Sequence, residues 1–135
     1  MDSLQVKSFL ESKDIKVTVK RLAVIECILR IKGLFSAIDL HNQLSDRLDV
    51  DLVTVYRFLT VLKEKGIVRD VLSDESVQYF EMTSMDNPAH PHFKCYQCHK
   101  LLCLKPLTFD DSLFFIQSAG DLHIDHVSVV LSGLC

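Results

Sequence analysis

Residues 51–72 read Asp51-Leu52-Val53-Thr54-Val55-Tyr56-Arg57-Phe58-Leu59-Thr60-Val61-Leu62-Lys63-Glu64-Lys65-Gly66-Ile67-Val68-Arg69-Asp70-Val71-Leu72, and the apolar period changes at Gly66. Before the glycine, Val55, Leu59 and Leu62 fall on one face of a helix running from about Leu52 to Lys65. Tyr56 and Arg57 are adjacent, about 100° apart on the helix and off that face. After it the period becomes two. Ile67–Leu72 and Val77–Met82 read as a hairpin around the four-residue polar turn Ser73-Asp74-Glu75-Ser76.

Three further helical blocks precede this stretch. Ser3 to Lys13 is short and amphipathic, with Leu4, Phe9 and Leu10 inward. Thr18 caps a longer helix through Ile31 that Gly33 ends, with Leu22, Ile25 and Leu29 on its buried face. Ser36 caps another, with Asp39 in the capping-box position and Leu40 and Leu44 inward. Helices followed by a hairpin describe a winged helix-turn-helix, in which the helix before the hairpin enters the major groove. Arginine there offers paired donors to guanine or phosphate, and tyrosine a hydroxyl and a ring. A solvated Tyr-Arg pair on a surface helix is the alternative reading.

Downstream, Thr83 to Ala89, with Asn87-Pro88, reads as a linker. Strands over His92–Tyr96 and Lys100–Lys105, a helix over Thr108–Ala119 and a strand over Leu122–Leu131 follow. The predicted class is α+β: a winged-helix DNA-binding domain over 1–83, a hinge at 84–89 and a small α/β domain over 90–135. Leu113, Phe114, Phe115, Val129 and Leu131 exceed the apolar surface that so short a segment covers alone, so a homodimer interface is expected there.

Six soft-metal ligands crowd into this second segment: His90, His92, Cys95, Cys98, His99 and Cys103. The Cys95-x-x-Cys98 spacing lets two thiolates reach one tetrahedral ion from a tight turn, and Cys135 is the candidate third ligand. Thiol-disulfide chemistry is the competing reading, but it needs the cysteine pair at a helix N-terminus after a strand, and this pair falls between two strands. No H-E-x-x-H or comparable helix suggests a zinc hydrolase.

Charge is polarised along the chain. Residues 1–70 carry twelve Lys and Arg against ten Asp and Glu, and residues 71–135 carry three against eight, for a net charge of −3. A mildly basic half suits phosphates and an acidic, cysteine-bearing half suits cations. Five cysteines, no signal-like N-terminal segment and no membrane-length apolar run fit a reducing cytoplasm and no membrane partner.

Together these segments resemble the ferric uptake regulator (Fur) family of metal-dependent transcription factors. The resemblance is carried, in order, by Val17-Thr18-Val19-Lys20-Arg21, Ser36-Ala37-Ile38-Asp39-Leu40, Thr54-Val55-Tyr56-Arg57, Lys65-Gly66-Ile67-Val68, Phe80-Glu81-Met82, His90 through Cys98, and Gly133-Leu134-Cys135. It implies a homodimeric repressor on a near-palindromic operator in double-stranded DNA, with Thr54, Tyr56, Arg57, Lys20 and Arg21 on the DNA. It also implies a structural zinc on Cys95, Cys98 and Cys135, with His99, Cys103, a terminal carboxylate, water or a neighbouring subunit as the fourth partner, or a weakened site. A regulatory metal would sit on Glu81, His90, His92 and Cys103.

Two departures bear on the metal. Cys103 stands where iron-type members place a glutamate, and Leu34 where many place a histidine. Thiolate for oxygen shifts the preference from Fe²⁺ or Mn²⁺ toward Zn²⁺. The expectation is therefore a zinc-responsive regulator, like the zinc uptake branch, with an iron- or manganese-responsive or peroxide-sensing member as the alternative. A third family site is doubtful, since Ala89 and Pro91 occupy its positions. His126 is an additional ligand candidate and His123 a weaker one; His41 reads as a surface residue and Cys27 as a core thiol.

Overall fold

The computed structural model describes residues 2–83, 90–124 and 127–135, and the chain divides into compact units over Met1–Thr83 and Ser84–Cys135. The 84–89 linker assigned from the sequence lies outside the described residues.

The first unit runs α1 (Ser3–Ser12), α2 (Val19–Arg30), β1 (Phe35–Ser36), α3 (Ala37–Leu44), α4 (Leu52–Glu64), β2 (Val68–Asp74) and β3 (Val77–Met82). Each helix start has a side chain that takes an otherwise orphaned amide. Thr18 Oγ1 accepts from Arg21 at 3.1 Å, Asp51 Oδ1 accepts from Thr54 at 2.8 Å, and Ser36 and Asp39 form a reciprocal capping box. At the end of α4, Gly66 donates to the Lys63 carbonyl at 3.0 Å and Ile67 to the Leu62 carbonyl at 2.8 Å, with Gly66 at φ 72°. That crossed pair stops the helix in the left-handed conformation glycine adopts freely, and it turns the chain directly into β2.

The core of this unit joins α1 through Val6 and Leu10, α2 through Val24, Ile25 and Ile28, α3 through Leu40 and Leu44, and α4 through Val55, Phe58, Leu59 and Leu62. Burying each large aliphatic of this set contributes about 1.5–3 kcal/mol. Phe35 of β1 and Phe80 of β3 close it from the sheet, their rings 6.2 Å apart.

Four sequence expectations need correction here. Leu4 is 75% exposed and Leu29 is 38% exposed, so neither belongs to the core. The hairpin turn spans two residues rather than four: Asp74 pairs with Val77, and Glu75 and Ser76 sit at φ 49° and 67°, the left-handed pair that a two-residue turn requires. β1 was not expected; it lies antiparallel to β3 in a sheet ordered β1-β3-β2. The fourth correction falls in the second unit.

That unit contains β4 (His92–Cys95), β5 (Leu101–Cys103), α5 (Phe109–Ser118) and β6 (Val130–Gly133), with sheet order β5-β4-β6. β5 is antiparallel to β4 and β6 parallel. The last strand therefore starts at Val130, not Leu122, because its limits are set by the four β4 positions that it pairs with. Thr108 and Asp111 cap α5 reciprocally, but no residue of α5 is buried. Among the described residues, no helix is long and apolar enough to cross a membrane.

Candidate metal centres and nucleic-acid interface

Strand periodicity and register assemble two ligand clusters in the second unit. His90 and His92 are two residues apart, hence on one side of the extended chain, and the β4–β5 register places Cys103 directly across from His92. The candidate ligand atoms of His90, His92 and Cys103 all lie within 4.8 Å of one another, and the imidazole centroids are 4.4 Å apart. His92 is buried, His90 half-buried and Cys103 exposed.

The second cluster joins Cys95, Cys98 and Cys135, again within 4.8 Å. Cys95 ends β4 and the chain reverses immediately: His99 donates to the Cys95 carbonyl at 2.9 Å, and Cys95 donates to that of Lys100 at 3.0 Å. Cys135 arrives through the parallel pairing of Cys95 with Gly133. Cys98 Sγ and Cys135 Sγ lie 3.6 Å apart.

The amides of Cys98, Cys135 and Gln97 converge on the Cys95 sulfur and, chiefly through that of Cys98 at 3.4 Å, bring its pKa down to about 6. Cys135 is pushed the other way by sharing a proton with Cys98 and Cys95. Three sulfurs in one pocket, one of them readily a thiolate, suit a soft, tetrahedral divalent ion. His99, at φ 61°, belongs to neither cluster, nor does exposed His123; His126 lies outside the described residues. Cys27 is a buried thiol, raised by burial, that donates to Gln43 at 3.3 Å; His41 is half-buried on α3.

Glu81, on β3 of the first unit, is 2% exposed. Arg69 faces it across the β2–β3 register and sends both Nε and Nη2 to Glu81 Oε1, at 2.7 and 2.6 Å. Sequence reading missed this pair, since a bulge between Asp70 and Leu72 shifts the register on one side of it.

The sequence-assigned DNA residues gather around α4. Val55, Phe58, Leu59 and Leu62 are buried, whereas Arg57 is exposed and Tyr56 is 42% exposed. One depression is lined by Thr18, Lys20 and Arg21 from the start of α2 and by Thr54, Arg57 and Phe58 from α4. The carboxyl of Asp51, held low first by Thr54 and then by Lys20 and Arg57, shows that the field of these cations extends to the helix cap. Hydroxyls and cations on a helix backed by a packed core form a surface fit for a phosphate backbone and base edges.

The model of the ferric uptake regulator family matches residues 12–128. The peroxide-responsive repressor PerR of Staphylococcus saprophyticus is 24% identical over 127 residues, 93% of this chain and 84% of its own length. Among solved structures, the ferric uptake regulator of Vibrio cholerae is 25% identical with a TM-score of 0.75, covering 95% of this chain and 98% of that one. A zinc uptake regulator solved with zinc and DNA is 22% identical with a TM-score of 0.64, covering 98% and 89%. With the winged-helix fold, its histidine and cysteine clusters and a family match across most of its length, the chain belongs to the ferric uptake regulator family, whose members are metal-responsive transcriptional regulators rather than enzymes.

Proposed function

We propose that this chain is a zinc-responsive repressor that binds a near-palindromic operator as a homodimer. The observation that carries the choice of zinc is the thiol of Cys103 within 4.8 Å of His90 and His92. Iron(II) and manganese(II) favour nitrogen and oxygen donors, whereas thiolate beside imidazole favours zinc. An iron-, manganese- or peroxide-responsive member would be better served by oxygen at this position.

In this reading His90, His92 and Cys103 hold the regulatory ion, with Glu81 as the further ligand suggested by its place at the end of the wing. Cys95, Cys98 and Cys135 hold a second, structural zinc. The bound ion supplies charge neutralisation and a fixed geometry, and all ligands must be deprotonated to bind it. The chain's own residues do the rest: Arg57, Tyr56 and Thr54 face the bases, and Lys20 a phosphate. Operator and zinc then tighten each other's binding by the same factor, because a ligand shifts a conformational equilibrium only through differential affinity.

The test is metal content after purification without added metal, followed by competition titrations with Zn²⁺, Fe²⁺ and Mn²⁺ and operator binding at each occupancy. Zinc-dependent binding that weakens in Cys103→Ser while the dimer persists in sedimentation is the expected result. A Cys103→Ser protein that titrates and binds like wild type would remove the argument for zinc. Arg57→Ala should cost about 1–3 kcal/mol of operator binding. A zinc-loaded chain that sediments as a monomer would contradict the dimer.

A further inference from the structure

The three cations around the α2–α4 depression are not equivalent. Lys20 and Arg57 are exposed, whereas Arg21 is half-buried. The Arg21 guanidinium lies over the ring of Phe58, 5.2 Å from its centroid, and its Nη1 donates to the Lys16 carbonyl at 3.0 Å. Phe58 follows Arg57 on α4 and is 3% exposed, a member of the core. One side chain thus ties together the segment before α2, the first turn of α2 and the middle of α4. Its flat face is engaged with an aromatic ring and one end with a backbone oxygen. Lysine can reproduce the charge of such a group but neither the planar stacking nor the forked donors.

We infer that Arg21 is a positioning residue for the DNA-facing surface: stacked on Phe58, it seats α4 against the start of α2 and so fixes Arg57 relative to Lys20, without itself taking a phosphate. The inference rests on the DNA-binding reading above and reassigns one residue within it. A cation that contacts phosphate releases counterions and steepens the salt dependence of binding; a cation directed into the fold does not. The surface therefore reads DNA through Lys20 and Arg57, with Arg21 acting on affinity through their geometry.

The experiment uses the full, zinc-loaded chain and a duplex that the wild-type protein selects from a randomised pool, with affinity measured across a salt series. Lys20→Gln should flatten the log–log salt slope by about 0.9, the value for one phosphate contact. Arg21→Lys, at a temperature where circular dichroism shows it folded, should bind roughly three- to tenfold more weakly at every salt concentration with an unchanged slope. Phe58→Leu leaves every cation in place and should produce the same loss. The double variant should lose no more than the weaker-binding single, because both remove one contact.

Wild-type affinity in Arg21→Lys, additive losses in the double variant, or a slope flattened by about one contact in Arg21→Gln would each overturn the inference. Phe58→Leu keeps the test available should the arginine variants fail to fold, and wild-type affinity there would equally overturn it. Wild-type binding by both Arg57→Ala and Lys20→Gln is a different result: it would remove the DNA-binding reading itself.

Discussion

The two units solve the problem of stability by different means. In the first, four helices and the sheet meet in a continuous apolar core with Leu10, Ile28, Leu40 and Leu62 fully buried. In the second, the buried residues among those described are His92 and Cys95, both candidate metal ligands, while Phe109 and Phe114 are 80% and 65% exposed. A segment of that size cannot bury enough apolar surface to offset its conformational entropy unaided. The first unit is therefore organised by hydrophobic packing, and the second relies on metal–thiolate bonds and on an apolar surface suited to a second copy.

The largest expected effect that separates them comes from Cys95→Ser. Apparent zinc-binding energies of structural sites are about 10–16 kcal/mol and act as folding energy. The substituted chain should lose one zinc per subunit by metal analysis. Amides of β4 and β6 should lose hydrogen-exchange protection while those of α2 and α4 keep it; equal loss in both units would break the comparison.

Leu59→Ala tests the other half. A fully packed leucine costs about 2–5 kcal/mol on truncation, so urea unfolding of the first unit should shift by that amount whether or not zinc is present. A zinc-dependent shift would mean that the core does not stand on its own.

A smaller effect concerns protons. In the zinc-free chain the Cys95 thiol is depressed from 9.0 to about 6. Between those values the unfolded chain binds the extra proton, so this contribution to the stability of the second unit is complete above pH 9 and lost as pH falls through about 6. Thiolate absorbance should show a sulfur titrating near pH 6 that Cys95→Ser removes. At the bottom of the scale, Leu4→Ala should change thermal unfolding by less than about 0.5 kcal/mol, because Leu4 points to solvent.

What the sequence disclosed follows the same division. The caps at Thr18 and Ser36 and the stop at Gly66 are local signals, and α2, α3, α4 and the hairpin were legible from them. Non-local features were not. β1 is two residues long and exists only through its pairing with β3. The extent of β6 is dictated by β4. The Glu75-Ser76 turn was obscured because neither residue is the glycine or asparagine that usually announces a left-handed pair. Leu4 and Leu29 lie at the margins of apolar stripes, where helical spacing alone does not fix which way a side chain faces. At the candidate site, cysteine and histidine spacing is written in the sequence. The engagement of Arg69 with Glu81 and of Arg21 with Phe58 depends on register and packing, and no motif encodes either.

The parallel pairing of β4 with β6 also has a consequence in time. Cys95 and Cys98 leave the ribosome well before Cys135, and the partner strand that delivers the third sulfur is synthesised last. Contacts so distant along the chain close slowly. The winged-helix unit can reach its native form while the cysteine cluster is still unfinished. Zinc capture is then a late event in the life of a new chain, and a cell short of zinc would accumulate molecules with a finished DNA-reading half and an unfinished metal-binding half.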